Sequence, residues 1–121
     1  RVVYDTRAHR LISHELALVG TNRNCAGGTT PWNSWISCEE NVDRAGTRFE
    51  RDHGYAFEVP AAGAGLAVPT PLRAMGRFYR EAVAVDPRSG CVYQTEDLGD
   101  GVLYRFVPRV PSRLHEGGRL Q

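Results

Sequence analysis

Cys25, Glu40, Glu81 and Asp97 are the residues of this chain whose types and spacing suit chemistry. A thiolate is a soft ligand and a carboxylate a hard one, so the set fits a transition metal such as iron beside calcium, rather than magnesium alone. Cys25 stands 15 residues before Glu40, and Glu81 stands 16 before Asp97. Glu40 and Asp97 each close an acidic pair, which makes Glu39 and Glu96 second-choice metal ligands. Taken singly, an acidic pair at a strand end is an ordinary solvated feature. Its recurrence at matched points of the chain is what singles it out. Cys25 lies in a polar, glycine-rich stretch, Asn22-Arg23-Asn24-Cys25-Ala26-Gly27-Gly28-Thr29-Thr30-Pro31-Trp32, which reads as a loop entering a strand. There Gly27 and Gly28 would let a backbone approach a ligand closely, and Arg23 would favour the thiolate.

Other routes to catalysis find no support. His9, His14, His53 and His115 show no H-x-x-x-H or H-E-x-x-H spacing, and no glycine-flanked serine accompanies them. They read as structural or surface residues. No dinucleotide or phosphate-loop glycine motif occurs, and neither a catalytic nucleophile nor a substrate-binding residue stands out. The three cysteines match neither a zinc spacing nor a disulfide framework, so at least one is free or a ligand. Cys38 and Cys91 sit in apolar, strand-like runs and read as small core hydrophobes.

The elements that must position these residues are strands. Short runs of valine, isoleucine, tyrosine and phenylalanine recur between glycine, proline and aspartate clusters, with no sustained helical period. Strands are expected over residues 1–5, 10–19, 32–38, 54–59, 82–85, 91–95 and 101–107. Asp86-Pro87-Arg88-Ser89-Gly90 between two apolar runs predicts a hairpin turn. Residues 61–73, small and proline-rich, predict a loop. The two halves also repeat. Ser34-Trp35-Ile36-Ser37-Cys38 runs into Glu39-Glu40 and then Tyr55-Ala56-Phe57; Cys91-Val92-Tyr93-Gln94-Thr95 runs into Glu96-Asp97 and then Tyr104-Arg105-Phe106. Glu40 and Asp97 lie 57 positions apart. A repeat of several strands fits β-propeller blades of ~40–50 residues. The expected fold is all-β, a partial β-propeller of about two blades, approximately 10–60 and 75–108, cut from a larger one. Corresponding strand ends of adjacent blades would turn Cys25, Glu40, Glu81 and Asp97 toward a common site.

Composition narrows the partners. The chain has 121 residues, 41% hydrophobic and 24% charged, the make-up of an ordinary globular protein. Its 15 basic residues against 14 acids give a net charge of +1, no basis for a nucleic-acid partner. All the basic residues are arginines, scattered rather than clustered, a bias that fits a GC-rich bacterial coding sequence. No segment approaches the ~20 apolar residues of a membrane span. The opening Arg1-Val2-Val3-Tyr4 lacks a leader, so any export signal is expected upstream.

The string Asn24-Cys25-Ala26-Gly27-Gly28-Thr29-Thr30-Pro31-Trp32, continuing to Cys38-Glu39-Glu40-Asn41, resembles the signature of the PhoX-like alkaline phosphatase family. Met75-Gly76-Arg77-Phe78-Tyr79-Arg80-Glu81-Ala82-Val83-Ala84-Val85-Asp86-Pro87, followed by Tyr93-Gln94-Thr95-Glu96-Asp97, is similar to a second stretch of it. The resemblance implies a β-propeller exported to the periplasm, with an iron and calcium cluster that hydrolyses phosphomonoesters of small molecules. It carries an iron ligand onto Cys25 and further metal ligands onto Glu40, Glu81 and Asp97, with Glu39 and Glu96 behind them. Arg80 departs from the histidine common in the phosphatases, and the family's phosphate-binding arginine is expected beyond Gln121. The 121 residues alone are therefore expected to be inactive. The competing expectations are a non-catalytic propeller that binds calcium or a partner, and a propeller hydrolase acting on phosphodiesters or lactones.

Overall fold

The computed structural model describes residues 1–121. It contains nine strands and two short 3-10 turns. The strands are β1 (Val2–Asp5), β2 (Arg10–His14), β3 (Asn24–Thr29), β4 (Ser34–Glu39), β5 (Ala56–Pro60), β6 (Arg80–Val85), β7 (Val92–Glu96), β8 (Leu103–Pro108) and β9 (Gly118–Leu120). β1 and β2 form a separate antiparallel hairpin. The other seven make one curled sheet in the order β5-β4-β3-β6-β7-β8-β9.

Within that sheet, β3-β4-β5 and β6-β7-β8-β9 are antiparallel meanders. They meet through their first strands, β3 and β6, which run parallel at Gly27↔Ala82. Two meanders side by side, innermost strands parallel, is the arrangement of neighbouring propeller blades. The chain is all-β, a partial β-propeller.

Alternation along β4 and β7 explains the packing. Ser34, Ile36 and Cys38 are buried on one face of β4 while Trp35 is exposed, as the period of two requires. Val92 and Gln94 do the same on β7. Ile36, Cys38, Ala56, Leu72, Met75, Val83, Val92, Phe106 and Leu114 form one core spanning both meanders. Burial of this kind pushes the Cys38 thiol up to about 12, so it behaves as an inert hydrophobe.

The predicted turn is present: Asp86 and Cys91 close it through N–H to O at 2.9 Å, and Gly90 takes φ +71. Asp86 accepts from the Ser89 hydroxyl at 2.6 Å and the Arg88 N–H at 3.0 Å, which hold its carboxyl below the usual range. Three expectations need correction. Asn24–Thr29, read as a loop, is the strand β3. The second strand ends at His14 rather than Val19. The last residues, Gly118–Leu120, add a strand beside β8.

Candidate functional site

β3 and β6 carry the first two candidate residues, Cys25 and Glu81, at matching positions: each is the second residue of its strand. Both strands bulge there. The register of β3 on β4 slips between Cys25 and Gly28, and that of β6 on β7 slips between Arg80 and Val83. A bulge re-aims a side chain and commonly stands beside a functional site. Gly27 and Gly28 make the close approach of the two strands possible. Gly27 has φ +73, and a Cβ on Gly28 would lie 2.1 Å from the carbonyl oxygen of Val83. Only glycine fits between β4 and β6 at this height.

Glu40 and Asp97 also match. Each follows the second strand of its meander, and each donates its N–H to a carbonyl two residues before the first pair. Glu40 N–H reaches Arg23 O and Asp97 N–H reaches Tyr79 O, both at 2.9 Å.

The four side chains come together as two contacting pairs. Cys25 Sγ lies 3.8 Å from Glu81 Oε1. The neighbouring Asp97 side chain is the main influence that raises the Glu40 carboxyl above the usual carboxylate range. Partial desolvation and the charges of Asp97 and Glu81 add to the rise, while Arg23, 3.3 Å from Glu40 Oε2, opposes it. Carboxylates crowded in this way repel unless a proton or a cation stands between them. The donor chemistry, one thiol and three carboxylates, fits a cation site of mixed softness. No three His, Cys, Asp or Glu side chains close into a set around one point, so the convergence is pairwise.

The second-choice residues are placed differently. Glu39 is fully buried and its two oxygens meet four donors: His53 Nδ1 and Gly54 N at 2.7 Å, Asn22 N at 2.9 Å and Tyr55 N at 3.1 Å. Successive strand residues face opposite ways, so Glu39 ties the β4–β5 loop down while Glu40 turns to the cluster. Glu96 accepts from the Tyr104 hydroxyl at 3.1 Å.

Sequence reasoning marked Arg80 only as a departure from the family's histidine and did not find its structural role. It is fully buried, with Nε on Gln94 Oε1 at 2.9 Å and its terminal nitrogens on the carbonyls of Gly54, Met75 and Gly76 at 3.1, 2.8 and 3.0 Å. Its guanidinium also lies 4.1 Å from the Phe78 ring centre. Burial depresses its pKa to about 10. Arg80 therefore clamps the start of β6 to the loop before β5, one residue from Glu81. Its place next to an expected ligand and its departure from the family's histidine were the available signals.

The sequence matches the family described as alkaline phosphatase PhoX over residues 6–121. No curated protein matches the chain, and no solved structure does.

Proposed function

This chain belongs to the alkaline phosphatase PhoX family, and we propose that it forms part of a metal-dependent phosphatase hydrolysing phosphomonoesters. The observation that carries this reading is the meeting of Cys25 with Glu81 and of Glu40 with Asp97, from matched positions of two adjoining meanders. We assign Cys25, Glu40, Glu81 and Asp97 as metal ligands, with Glu39 and Glu96 in reserve, and iron and calcium as the cations. Cys25 supplies the soft donor that selects iron, and the carboxylates supply the hard donors that suit calcium.

Bound cations would neutralise phosphate oxygens and help to orient an in-line displacement. The chain's own residues prepare that site. Arg80 fixes the strand that presents Glu81, the two bulges aim the first pair, and Arg23 offsets part of the acidic charge at Glu40. The residues form one propeller domain with blades near 10–60 and 75–108, and the substrate is a phosphorylated small molecule. We place the protein in the periplasm or outside the cell; no helix is long and apolar enough to cross a membrane.

The test is phosphate release from an aryl phosphomonoester by the intact protein supplied with calcium and iron, beside its Cys25→Ser and Glu81→Gln variants. Activity that collapses in both supports the assignment. Full activity in both, in folded protein, would sink it.

A further inference from the structure

Two adjoining cavities lie along the β4–β5 loop, where Glu39 holds His53. One, of about 460 Å³, is lined by Thr21, Asn22, Arg48, Phe49, Arg51 and His53 among others. The other, of about 260 Å³, shares Arg51 and His53 with it and adds Arg73. They form one groove with three guanidinium groups, and none of the three is in an ion pair. Two acids border it. Asp52 is already taken by Arg44 Nη1 at 2.9 Å and the Ala45 N–H at 2.8 Å. Glu50 is the one carboxylate left to oppose three positive charges.

The floor of the groove is built rather than incidental. His53 is 7% exposed, and its Nδ1 lies 2.7 Å from the fully buried Glu39 carboxylate. That carboxylate fixes the orientation of the ring, with Nδ1 turned to it and Nε2 turned away. Nε2 has no partner in the chain, yet it is not a sealed, unsatisfied atom. Its access is through the cavities that His53 lines. Phe49 packs edge-on against His53, centroids 4.7 Å apart, and the Arg48 guanidinium lies 5.1 Å from the Phe49 ring centre. An aromatic ring thus bridges the imidazole and the first arginine.

We propose that this groove is a binding site for a hydroxyl-bearing phosphate ester, a sugar or polyol phosphate, whose phosphate meets Arg48, Arg51 and Arg73 and whose hydroxyl hydrogen-bonds to His53 Nε2. Guanidinium forks match phosphate oxygens, and such charge-assisted bonds are the strong ones. A buried, oriented imidazole nitrogen adds selection for a ligand with a hydroxyl, which can donate or accept. The choice of a phosphate ester as the ligand rests on the phosphatase reading above; binding in the groove does not need the metal cluster.

The test keeps the two apart. Calorimetric titration is done on the chelator-treated intact protein carrying Cys25→Ser, so that the cluster is disabled. The probes are ribose 5-phosphate, methyl phosphate and ribose. Ribose 5-phosphate is expected to bind best and to weaken about ten-fold or more when Arg48→Gln and Arg51→Gln are combined. Both arginines are exposed, so the fold should survive the change. Binding should also weaken with added salt. Equal affinity in the double variant, or no saturable heat from either phosphate, would overturn the site. Methyl phosphate binding as tightly as ribose 5-phosphate would overturn the role given to His53.

Discussion

Replacing Arg80 by methionine sets two large effects against each other. The buried guanidinium has its pKa lowered from 12.5 to about 10, which at ~1.4 kcal/mol per unit means that the folded state disfavours the charge by about 3 kcal/mol. Methionine removes that penalty and fills most of the space. It also removes donors from Gln94 Oε1 and from the carbonyls of Gly54, Met75 and Gly76. Two of these acceptors keep a partner: Gly54 O still receives the Phe78 N–H, and Met75 O still receives Gln94 Nε2. Gly76 O and the buried Gln94 Oε1 are left without one. Hydrogen bonds to a charged donor contribute ~1.5–3 kcal/mol each, and an orphaned buried acceptor costs ~1–3 kcal/mol. The hydrogen-bond losses exceed the desolvation relief, so Arg80→Met should destabilise the protein by about 2–4 kcal/mol. Adding Gln94→Met deletes one orphan but takes the last donor from Met75 O, so the double variant should lie close to Arg80→Met rather than lose the full sum of the two single changes. Urea unfolding of the metal-free intact protein, run as a double-mutant cycle, reads both numbers. A single variant as stable as the parent, or two purely additive losses, would refute the clamp.

Two further perturbations test the scaffold. Gly28→Ala places a Cβ 2.1 Å from the carbonyl oxygen of Val83, which forces the two innermost strands apart and should cost ~2–3 kcal/mol; Gly46→Ala, with nothing within 4 Å, is the control, and equal melting midpoints would argue against the close approach. The Asp86 carboxyl is held low by the Ser89 hydroxyl and the Arg88 N–H, so its stabilisation of the turn is present above the usual carboxylate range and lost as pH falls through the lowered folded value. The melting difference between parent and Asp86→Ala should therefore shrink on acidification, and a difference independent of pH would contradict this.

The repeat made the fold legible. Strands β4, β5, β7 and β8 declare themselves because half of their residues face a core, which writes alternation into the sequence. β3 hides for the opposite reason. Asn24-Cys25-Ala26-Gly27-Gly28-Thr29 has strands on both sides at a distance that excludes side chains, so its packing demands small residues and erases the hydrophobic signal. The same constraint that makes it the innermost strand makes it look like a loop. The Glu39–His53 pair was illegible as well, because its partners lie 14 residues apart and no motif links them. Glu39 was visible as an acid; that its oxygens would be occupied by backbone N–H groups from the β4–β5 loop depends on how that loop folds back.

The spacing of the candidate ligands shows what a repeat can and cannot reveal. Cys25 to Glu40 and Glu81 to Asp97 differ by one residue, which in a strand would turn one side chain to the wrong face. The extra residue falls elsewhere. Thr30 N–H closes its turn on Ser34 O, whereas Asp86 N–H closes on Cys91 O, one position further along. That turn is at the opposite end of the meander from the cluster, so the longer hairpin is absorbed there. At the cluster end the backbone bonds from Glu40 to Arg23 and from Asp97 to Tyr79 remain equivalent. The two pairs thus keep a common register despite unequal spacing, because the turn tolerates insertion and the ends of the innermost strands, pinned by glycine contacts and the Arg80 clamp, do not.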